Sequence, residues 1–296
     1  VSLSESGSPI AENGGTSTVT ATLDAVSGLD VTIDLAYTGT AIGGGVDYTA
    51  TSTQIIITAG STTGSVTITG VDDALDEVDE TVLVNITGVS NGMDGSAQQT
   101  ITIADDDAAP SVSLSESGSP IAENGGTSTI TATLDAVSGL DVTVDLTYTG
   151  TATSVTDYTA SSSQIIITAG STTGSVTITG VDDALDESDE TVLVAISSVT
   201  NGTDGSAQQT ITIADDDAAP SVSLSESGSP IAENGGTSTI TATLDAVSGL
   251  DVTVDLTYTG TATGGIDYTA TSTQIIITAG STTGSVTITG VDDALD

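Results

Sequence analysis

The sequence predicts an all-β protein made of tandem, seven-stranded immunoglobulin-like sandwiches, and three observations support this prediction. One unit of sequence occurs three times along the 296 residues. Within each unit, apolar residues alternate with polar ones at a period of two, which is the pattern of a half-buried strand. Gly, Ser, Asn and Asp separate the alternating runs, and about seven short strands in roughly 100 residues are typical of a two-sheet sandwich.

Two segments that recur without change define the repeat. The segment "VSLSESGSPIAENGGTST" begins at Val1, Val112 and Val222, and "QIIITAGSTTGSVTITGVDDALD" begins at Gln54, Gln164 and Gln274. These positions predict three domains, at residues 1–109, 110–219 and 220–296. The repeat starts are 111 and 110 residues apart, and the extra residue lies in the Gly-rich segment 42–46. This segment is predicted to be a loop, because loops tolerate insertions.

Each strand is predicted from its alternating apolar residues, because alternate side chains of a strand share one face. In the first repeat the strands rest on Val1 and Leu3 (A), Val19, Ala21 and Leu23 (B), Leu29, Val31, Ile33, Leu35 and Tyr37 (C), residues 54–58 (D), Val66 and Ile68 (E), Val82, Val84 and Ile86 (F), and Ile101 and Ile103 (G). The third copy stops at Asp296, so it is expected to hold strands A to E only and to be part of a longer repetitive chain.

The charge balance excludes nucleic acid and anionic membranes as partners. The chain has 41 acidic residues and no Lys, Arg or His, whereas recognition of phosphate depends on basic side chains. No apolar run approaches the length needed to span a bilayer, so no membrane insertion is expected within this chain. Without Cys or Lys, neither disulfides nor Lys–Asn isopeptide bonds can form, which leaves hydrophobic burial and bound ions as sources of stability.

The composition also predicts that the protein is not an enzyme. Without His, Lys, Arg or Cys, the chain lacks the usual base for a Ser or Thr nucleophile, a thiol and a cationic oxyanion stabiliser. Paired carboxylates could serve a glycosidase, but six Tyr with no Trp or Phe offer little surface on which a sugar could stack.

Strand parity predicts that acidic residues converge at one end of each sandwich. If consecutive strands run antiparallel, the A–B, C–D and E–F connections and the end of strand G share that end. In the first repeat these places hold Glu12, Asp47, Asp72, Asp73, Asp76, Glu77, Asp105, Asp106 and Asp107. The second repeat has Glu123, Asp157, Asp182, Asp183, Asp186, Glu187, Asp215, Asp216 and Asp217, and the third has Glu233, Asp267, Asp292 and Asp293.

This convergence predicts a calcium site. Two carboxylates about 5 Å apart repel by roughly 3 kcal/mol at an effective dielectric constant of about 20, so either they splay into water or a cation lies among them. Oxygen ligands without His or Cys favour Ca²⁺ over zinc or copper, and Mg²⁺ prefers fewer protein ligands. The alternative is an acidic surface that is simply solvated, as in proteins of salt-rich organisms. Four separate segments meeting at one end favour calcium.

At these residues the sequence resembles a known family. The "DY" at residues 47–48, the run from Gln54 to Ile86 and the closing "TITIADDD" at residues 100–107 resemble the Calx-beta domain, and the resemblance covers all three copies. That family includes calcium-sensing domains of sodium/calcium exchangers and tandem modules of large bacterial surface proteins. The lack of basic residues departs from the family pattern and argues against exchanger-type regulation.

The resemblance also implies which residues bind the ion. Family ligands are a Glu of the A–B loop, the Asp of "DY", the Asp pair and following Glu of the E–F loop, and the terminal Asp run. In the first repeat these correspond to Glu12, Asp47, Asp72, Asp73, Glu77 and Asp105 to Asp107, with Asp76 turned to solvent. The corresponding positions of the other two repeats give the remaining predicted ligands.

The position of the acidic end suggests a mechanical role. The Asp run is followed by "AAPS" and then by strand A of the next unit, so bound calcium would draw the E–F loop and the end of strand G together and stiffen the joint. Weak sites need calcium near millimolar levels, which indicates an extracellular or cell-surface location. We therefore expect a structural or adhesive rod or filament whose partners are calcium and further copies of the repeat, including self-association into a fibre. A calcium-sensing regulatory module and a carbohydrate-binding surface module are the alternatives.

Overall fold

The computed structural model describes residues 1–95, 98–205 and 207–292. These ranges contain strands, turns and irregular segments but no helix, and hence no helix able to cross a membrane. The strands form successive two-sheet sandwiches, so the predicted all-β, immunoglobulin-like class is confirmed.

Two sheets form the first sandwich. Its strands are β1 (Ser2–Ser6), β2 (Ile10–Ala11), β3 (Thr16–Thr22), β4 (Val31–Gly39), β5 (Tyr48–Ala50), β6 (Gln54–Ile57), β7 (Thr63–Gly70), β8 (Glu80–Ser90) and β9 (Gln99–Ala104). One sheet has the order β1-β3-β7-β5 and the other β2-β9-β8-β4-β6. Neighbouring strands pair antiparallel, except that β2 runs parallel to β9.

The second sandwich has the same arrangement with one further strand. Its strands are β10 (Ser111–Ser117), β11 (Ile121–Ala122), β12 (Thr127–Leu134), β13 (Val142–Gly150), β14 (Tyr158–Ala160), β15 (Gln164–Ile167), β16 (Thr173–Gly180), β17 (Glu190–Thr200), β18 (Thr203–Asp204) and β19 (Gln209–Ala214). The sheets have the orders β14-β16-β12-β10-β18 and β11-β19-β17-β13-β15. The further strand, β18, pairs parallel to β10.

The third sandwich is less complete in the described residues. Its strands are β20 (Val222–Ser227), β21 (Thr237–Leu244), β22 (Val252–Asp255), β23 (Tyr268–Ala270), β24 (Gln274–Ile277) and β25 (Thr283–Gly290). They form one sheet of order β20-β21-β25-β23 and a pair, β22-β24. Leu224 is 55% exposed, whereas its counterpart Leu114 in the second repeat is 7% exposed. The described part of the third repeat contains no counterparts of β17 and β19, which contribute to the core around Leu114.

The structure adds two short strands, β2 and β5, to those predicted for the first repeat. After β1 the chain leaves the first sheet, and Ile10–Ala11 joins the second sheet beside β9. Likewise, Tyr48–Ala50 pairs with β7 while Gln54–Ile57 pairs with β4. Segments of two or three residues are too short to show alternation, which explains why the sequence did not predict them. Leu29 was wrongly assigned to strand C, because it lies before β4 and is 62% exposed.

The core of each complete sandwich lies between its two sheets. In the first repeat the buried side chains come from alternate positions of the strands, as the period of two predicts, and Ile33, Ile55, Ile57, Ile68 and Ile101 are at most 1% exposed. Burying each such side chain contributes on the order of 1.5–3 kcal/mol. This burial holds the strand ends, and therefore the loops that carry the acidic residues, in fixed positions.

Candidate metal centre

The predicted strands A, B, C, D, E, F and G correspond to β1, β3, β4, β6, β7, β8 and β9 in the first repeat. The parallel pairing of β2 and β9 brings the A–B loop next to the end of strand G. Both strands run toward the same end of the sandwich, so Glu12 follows β2 where Asp105 follows β9. The amide of Glu12 donates a hydrogen bond to the carbonyl of Ala104 at 3.2 Å. A Cβ atom on Gly70 would lie 2.6 Å from the carbonyl oxygen of Ala11, so only glycine lets the end of β7 approach this loop closely.

Hydrogen bonds attach the other two acidic segments to the same end. The amide of Val71 donates to the carbonyl of Asp47 at 3.0 Å, which holds the start of the E–F loop beside the C–D loop. The amide of Glu77 donates to Oδ1 of Asp105 at 3.3 Å, which holds the end of the E–F loop beside the terminal Asp run. All four acidic segments therefore meet at one end of the sandwich, as strand parity predicts.

Carboxylate oxygens form two overlapping groups at this end. Glu12 has an oxygen in a group with Asp105 and Asp107, and also in a group with Asp72 and Asp106; the oxygens of each group lie within 4.8 Å of one another. The second repeat reproduces both groups around Glu123, one with Asp215 and Asp217 and the other with Asp182 and Asp216. The Nδ2 atom of Asn13 donates a hydrogen bond to Oδ2 of Asp106.

A small cavity lies beside these groups and is lined by further carboxylates. It has a volume of about 10 Å³ and is bounded by Glu12, Asp47, Val71, Asp73, Glu77, Val78, Glu80, Ile103 and Asp105. The second repeat has a cavity of the same volume, bounded by Glu123, Asp157, Val181, Asp183, Glu187, Ser188, Glu190, Ile213 and Asp215. This volume accommodates about one particle the size of a water molecule.

Several carboxylate oxygens are buried without a hydrogen-bond donor. Within the described residues these are Oε1 of Glu12, Oδ2 of Asp107, Oε1 of Glu123, Oδ1 of Asp215 and Oδ2 of Asp217. Burying an ionised carboxylate without a donor or a cation is costly. Since the chain has no Lys, Arg or His, its own side chains supply no compensating positive charge.

Burial and mutual repulsion make these carboxyl groups harder to ionise. Burial, followed by repulsion from the Asp105 carboxylate, raises the pKa of Glu12 to about 7, and burial and Asp215 do the same for Glu123. Burial and a hydrogen bond with Asp47 raise the pKa of Glu80 to about 7. Burial also raises the pKa of Glu77, with contributions from Asp73, Asp47 and Asp105. A bound cation would relieve this repulsion.

The structure brings together all of the predicted site residues of the first two repeats. Each of the sixteen lies in a carboxylate group or lines a cavity. In the third repeat, Glu233 and Asp267 instead line an open cavity of about 590 Å³. Asp292 belongs to none of the carboxylate groups found among the described residues, and Asp293 lies outside those residues.

The sequence prediction missed two features of the site. Glu80 and its counterpart Glu190 line the cavities, although only the E–F residues up to Glu77 were considered. Each is the first residue of a strand F, so strand parity places it at the acidic end. The expectation that Asp76 faces solvent was wrong, because Ser138 of the next repeat donates a hydrogen bond to its Oδ2 at 3.1 Å.

The donor set fits a hard divalent cation. Carboxylate oxygens from three chain segments form the groups, Asp47 adds a carboxylate from a fourth segment to the cavity, and some of the grouped oxygens are buried without another partner. Six to eight oxygen ligands at about 2.3–2.6 Å are typical of Ca²⁺ sites, which adapt readily to irregular geometry.

Comparisons with known proteins identify the same unit. The Calx-beta domain model matches residues 1–107, 105–217 and 215–296. No curated protein matches the chain. The fold resembles CBD12 from CALX1.2, which is 16% identical over 66% of this chain and 80% of that one, with a TM-score of 0.32. It also resembles the tetra-tandem repeat in the extending region of a large adhesion protein, which is 18% identical over 98% of this chain and 66% of that one, with a TM-score of 0.43.

Proposed function

The chain belongs to the Calx-beta family, which it represents in three tandem copies, and from this premise we propose that it is a calcium-stiffened structural repeat array. In this proposal each complete sandwich binds calcium at its acidic end. The ion then holds the joint to the next sandwich, and the array acts as a rod or filament outside the cell or at its surface.

The buried carboxylate oxygens without donors are the observation that carries the proposal. They occur at the same end of both complete sandwiches, in a chain that has 41 acidic residues and no basic side chain. A solvated acidic surface would leave its oxygens exposed to water, whereas these are buried. A cation from solution would supply the positive charge that the chain lacks.

The proposed ligands follow from the groups and cavities described above. In the first repeat they are Glu12, Asp47, Asp72, Asp73, Glu77, Glu80, Asp105, Asp106 and Asp107, and in the second Glu123, Asp157, Asp182, Asp183, Glu187, Glu190, Asp215, Asp216 and Asp217. Calcium is preferred over magnesium because it accepts many protein oxygens, whereas magnesium keeps several of its waters.

The mechanical part of the proposal rests on the position of the site. Asp107 is separated from β10 only by residues 108–110, and the E–F loop touches the second sandwich through Asp76. An ion bound among these groups would join the E–F loop to the end of β9 and so restrict the joint. We propose further that the sites are weak, so that they fill at the millimolar calcium levels found outside the cell, which would place the array at the cell surface.

The composition supports a structural rather than a catalytic role. The described acidic sites contain no His, Lys, Arg or Cys, so the usual general bases, thiols and cationic stabilisers are absent from them. The proposed partners are calcium ions and further copies of the same repeat.

A calcium titration of the full chain tests both parts of the proposal. Thermal melting is expected to show a higher Tm in calcium, because one site at a hundredfold excess over its Kd adds about 2.7 kcal/mol to the free energy of unfolding. Small-angle X-ray scattering is expected to show a longer and narrower distance distribution. Magnesium at equal concentration and sodium at matched ionic strength are the controls.

The two readouts separate the possible failures. An unchanged melt in chelator and in millimolar calcium would contradict calcium binding. A higher Tm with unchanged scattering would leave calcium binding in place but contradict the stiffening.

A further inference from the structure

A short loop of the second repeat lies directly against the E–F loop of the first. The loop contains Ser138, Gly139 and Leu140 and connects β12 to β13; we call it the SGL loop. Its counterparts are Ser248, Gly249 and Leu250 in the third repeat and Ser27, Gly28 and Leu29 in the first. The sequence "AVSGLD" around it is identical in all three repeats.

Asp76 makes both backbone and side-chain contacts with the SGL loop. Asp76 and Ser138 form an isolated parallel β-bridge, and the amide of Gly139 donates to the carbonyl of Asp76 at 3.0 Å. The hydroxyl of Ser138 donates to Oδ2 of Asp76 at 3.1 Å. The second joint repeats these contacts between Asp186 and the loop of the third repeat, where Ser248 donates to Oδ2 at 2.9 Å.

The SGL loop also packs against Glu77, which lines the acidic cavity. A Cβ atom on Gly139 would lie 2.7 Å from both Cγ and Oε1 of Glu77. At the second joint, a Cβ on Gly249 would lie 2.7 Å from Cγ and 2.8 Å from Oε1 of Glu187. Neither glycine has a positive φ, so a side chain at these positions would meet the glutamate side chain and not a strained backbone.

In the first repeat, the counterpart of the SGL loop, Ser27 to Leu29, has no other sandwich packed against it among the described residues. Ser138 and Ser248 are each 1% exposed, whereas Ser27 is only partly buried. Within the part of the chain that the structure describes, apart from its two chain neighbours, no heavy atom lies within 4 Å of a Cβ built on Gly28. The burial of the loop in the later repeats therefore comes from the preceding sandwich and not from the fold of its own domain.

We propose that the SGL loop is the surface on which a repeat docks onto the E–F loop of the preceding one, and that Gly139 and Gly249 allow docking and cation binding to occur together. The coupling part of this inference rests on the proposed calcium site, while the docking contact stands on its own geometry. Docking fixes Glu77 and Asp76 in place, so it raises the affinity of the carboxylates of the first repeat for the ion. Because coupling between two binding events is reciprocal, the bound ion strengthens docking in return.

The freedom of the Glu77 side chain predicts how a methyl group at Gly139 acts. Without an ion, the Glu77 side chain can rotate away from the added methyl at little cost. With an ion bound, Glu77 is held as a ligand, so the methyl group displaces either the ligand or the next repeat. Gly139→Ala is therefore expected to weaken calcium binding while leaving the calcium-free protein stable.

The experiment compares Gly139→Ala with Gly28→Ala in the full chain. Calorimetric titration with CaCl₂ is expected to show that Gly139→Ala raises the half-saturation concentration of one cluster at least about fivefold, the lower end of typical coupling. Gly28→Ala, in an identical local sequence, is expected to match the parent. A second pair, Ser138→Ala and Ser27→Ala, removes the hydroxyl contact to Asp76 and is expected to show a smaller difference in the same direction.

Amide hydrogen exchange without calcium supplies a readout that does not depend on the ion. The amides of Gly139 and Gly249 are expected to exchange more slowly than that of Gly28, and equal exchange at all three would overturn the docking surface. Equal half-saturation concentrations of calcium for Gly139→Ala and Gly28→Ala would overturn the coupling. A lower calcium-free Tm of Gly139→Ala with an unchanged half-saturation concentration would also overturn it. If the parent chain neither binds calcium nor changes its Tm in calcium, both the proposed function and the coupling are overturned. Amide hydrogen exchange without calcium would still test the docking surface.

Discussion

The amide of Glu77 donates a hydrogen bond to Oδ1 of Asp105 at 3.3 Å, which connects the E–F loop directly to the first residue after β9. Glu77 also lies against Gly139 of the second repeat. Glu77 therefore lines the acidic cavity, contacts the end of its own sandwich and contacts the SGL loop of the next one.

Replacing Asp105, Asp106 and Asp107 together by Asn is expected to loosen the first joint. The change removes three anionic ligands but leaves the buried strands of the core unchanged, so both sandwiches should stay folded. In calcium, small-angle scattering is expected to show a shorter and broader distance distribution than for the parent. The control replaces Asp24, Asp30 and Asp94 by Asn, which removes the same charge outside the cluster. A parent that is equally bent in calcium would contradict the prediction.

The raised pKa values predict a pH dependence whose sign depends on calcium. Glu12, Glu80, Glu123 and Glu190 each have a folded-state pKa of about 7 against an ordinary value of 4.5. Between these values the folded state holds more protons than the unfolded one, so without calcium the free energy of unfolding should fall as pH rises through this window.

Calcium is expected to act in the opposite direction, because it binds the deprotonated carboxylates. The increase in Tm caused by calcium should therefore be larger at about pH 8 than at about pH 5. Melting curves at both pH values, with and without millimolar calcium, check this. The same calcium-induced shift at both pH values would show that the perturbed carboxyl groups are not ligands.

Glu80→Gln tests the site residue that the sequence prediction missed. Removing its charge relieves repulsion with Asp47, so the calcium-free Tm should rise. The corresponding gain in the free energy of unfolding should be on the order of 1 kcal/mol or less, because such charges are partly screened by solvent. The calcium-induced increase in Tm should shrink, since one anionic group of the cavity is lost. Glu5→Gln, outside both carboxylate groups and the cavity, is the control. An unaltered response to calcium would remove Glu80 from the ligand set.

Neighbouring isoleucines of β6 predict opposite outcomes for the same substitution. Ile55 is 1% exposed and Ile56 is 55% exposed, because adjacent side chains of a strand point to opposite faces. Ile55→Ala is expected to destabilise the first sandwich by about 2–5 kcal/mol and Ile56→Ala by about 0.5 kcal/mol or less. Denaturant unfolding measures both. Equal losses would mean that β6 does not present Ile55 to the core.

The sequence was sufficient for the fold because period-two alternation is strong in the long strands. Of the apolar positions predicted for strands B, E and F, Val19, Val66 and Val82 are buried in the structure, whereas Leu23 and Ile86 are partly buried. The alternation cannot reveal β2 and β5, which have two and three residues and are defined by their partners in the sheets.

Parity also located the acidic end correctly, but it could not determine individual roles. It identifies which end of a strand a residue occupies and not which neighbour its side chain meets. Asp76 contacts the next repeat because two sandwiches meet there, and no pattern within one repeat contains that information. The predicted domain boundaries and ligand assignments stay predictions.

The contacts between sandwiches have a consequence for how the gene could change. Both joints use the same residue types, Asp76 with Ser138 and Asp186 with Ser248, within segments of identical sequence. Loss of one entire unit, such as residues 112–221, would place the E–F loop of the first repeat against the SGL loop of the third and recreate every contact. Recombination between repeats could therefore shorten or lengthen the chain in whole-unit steps, so that its reach evolves without any new interface having to arise.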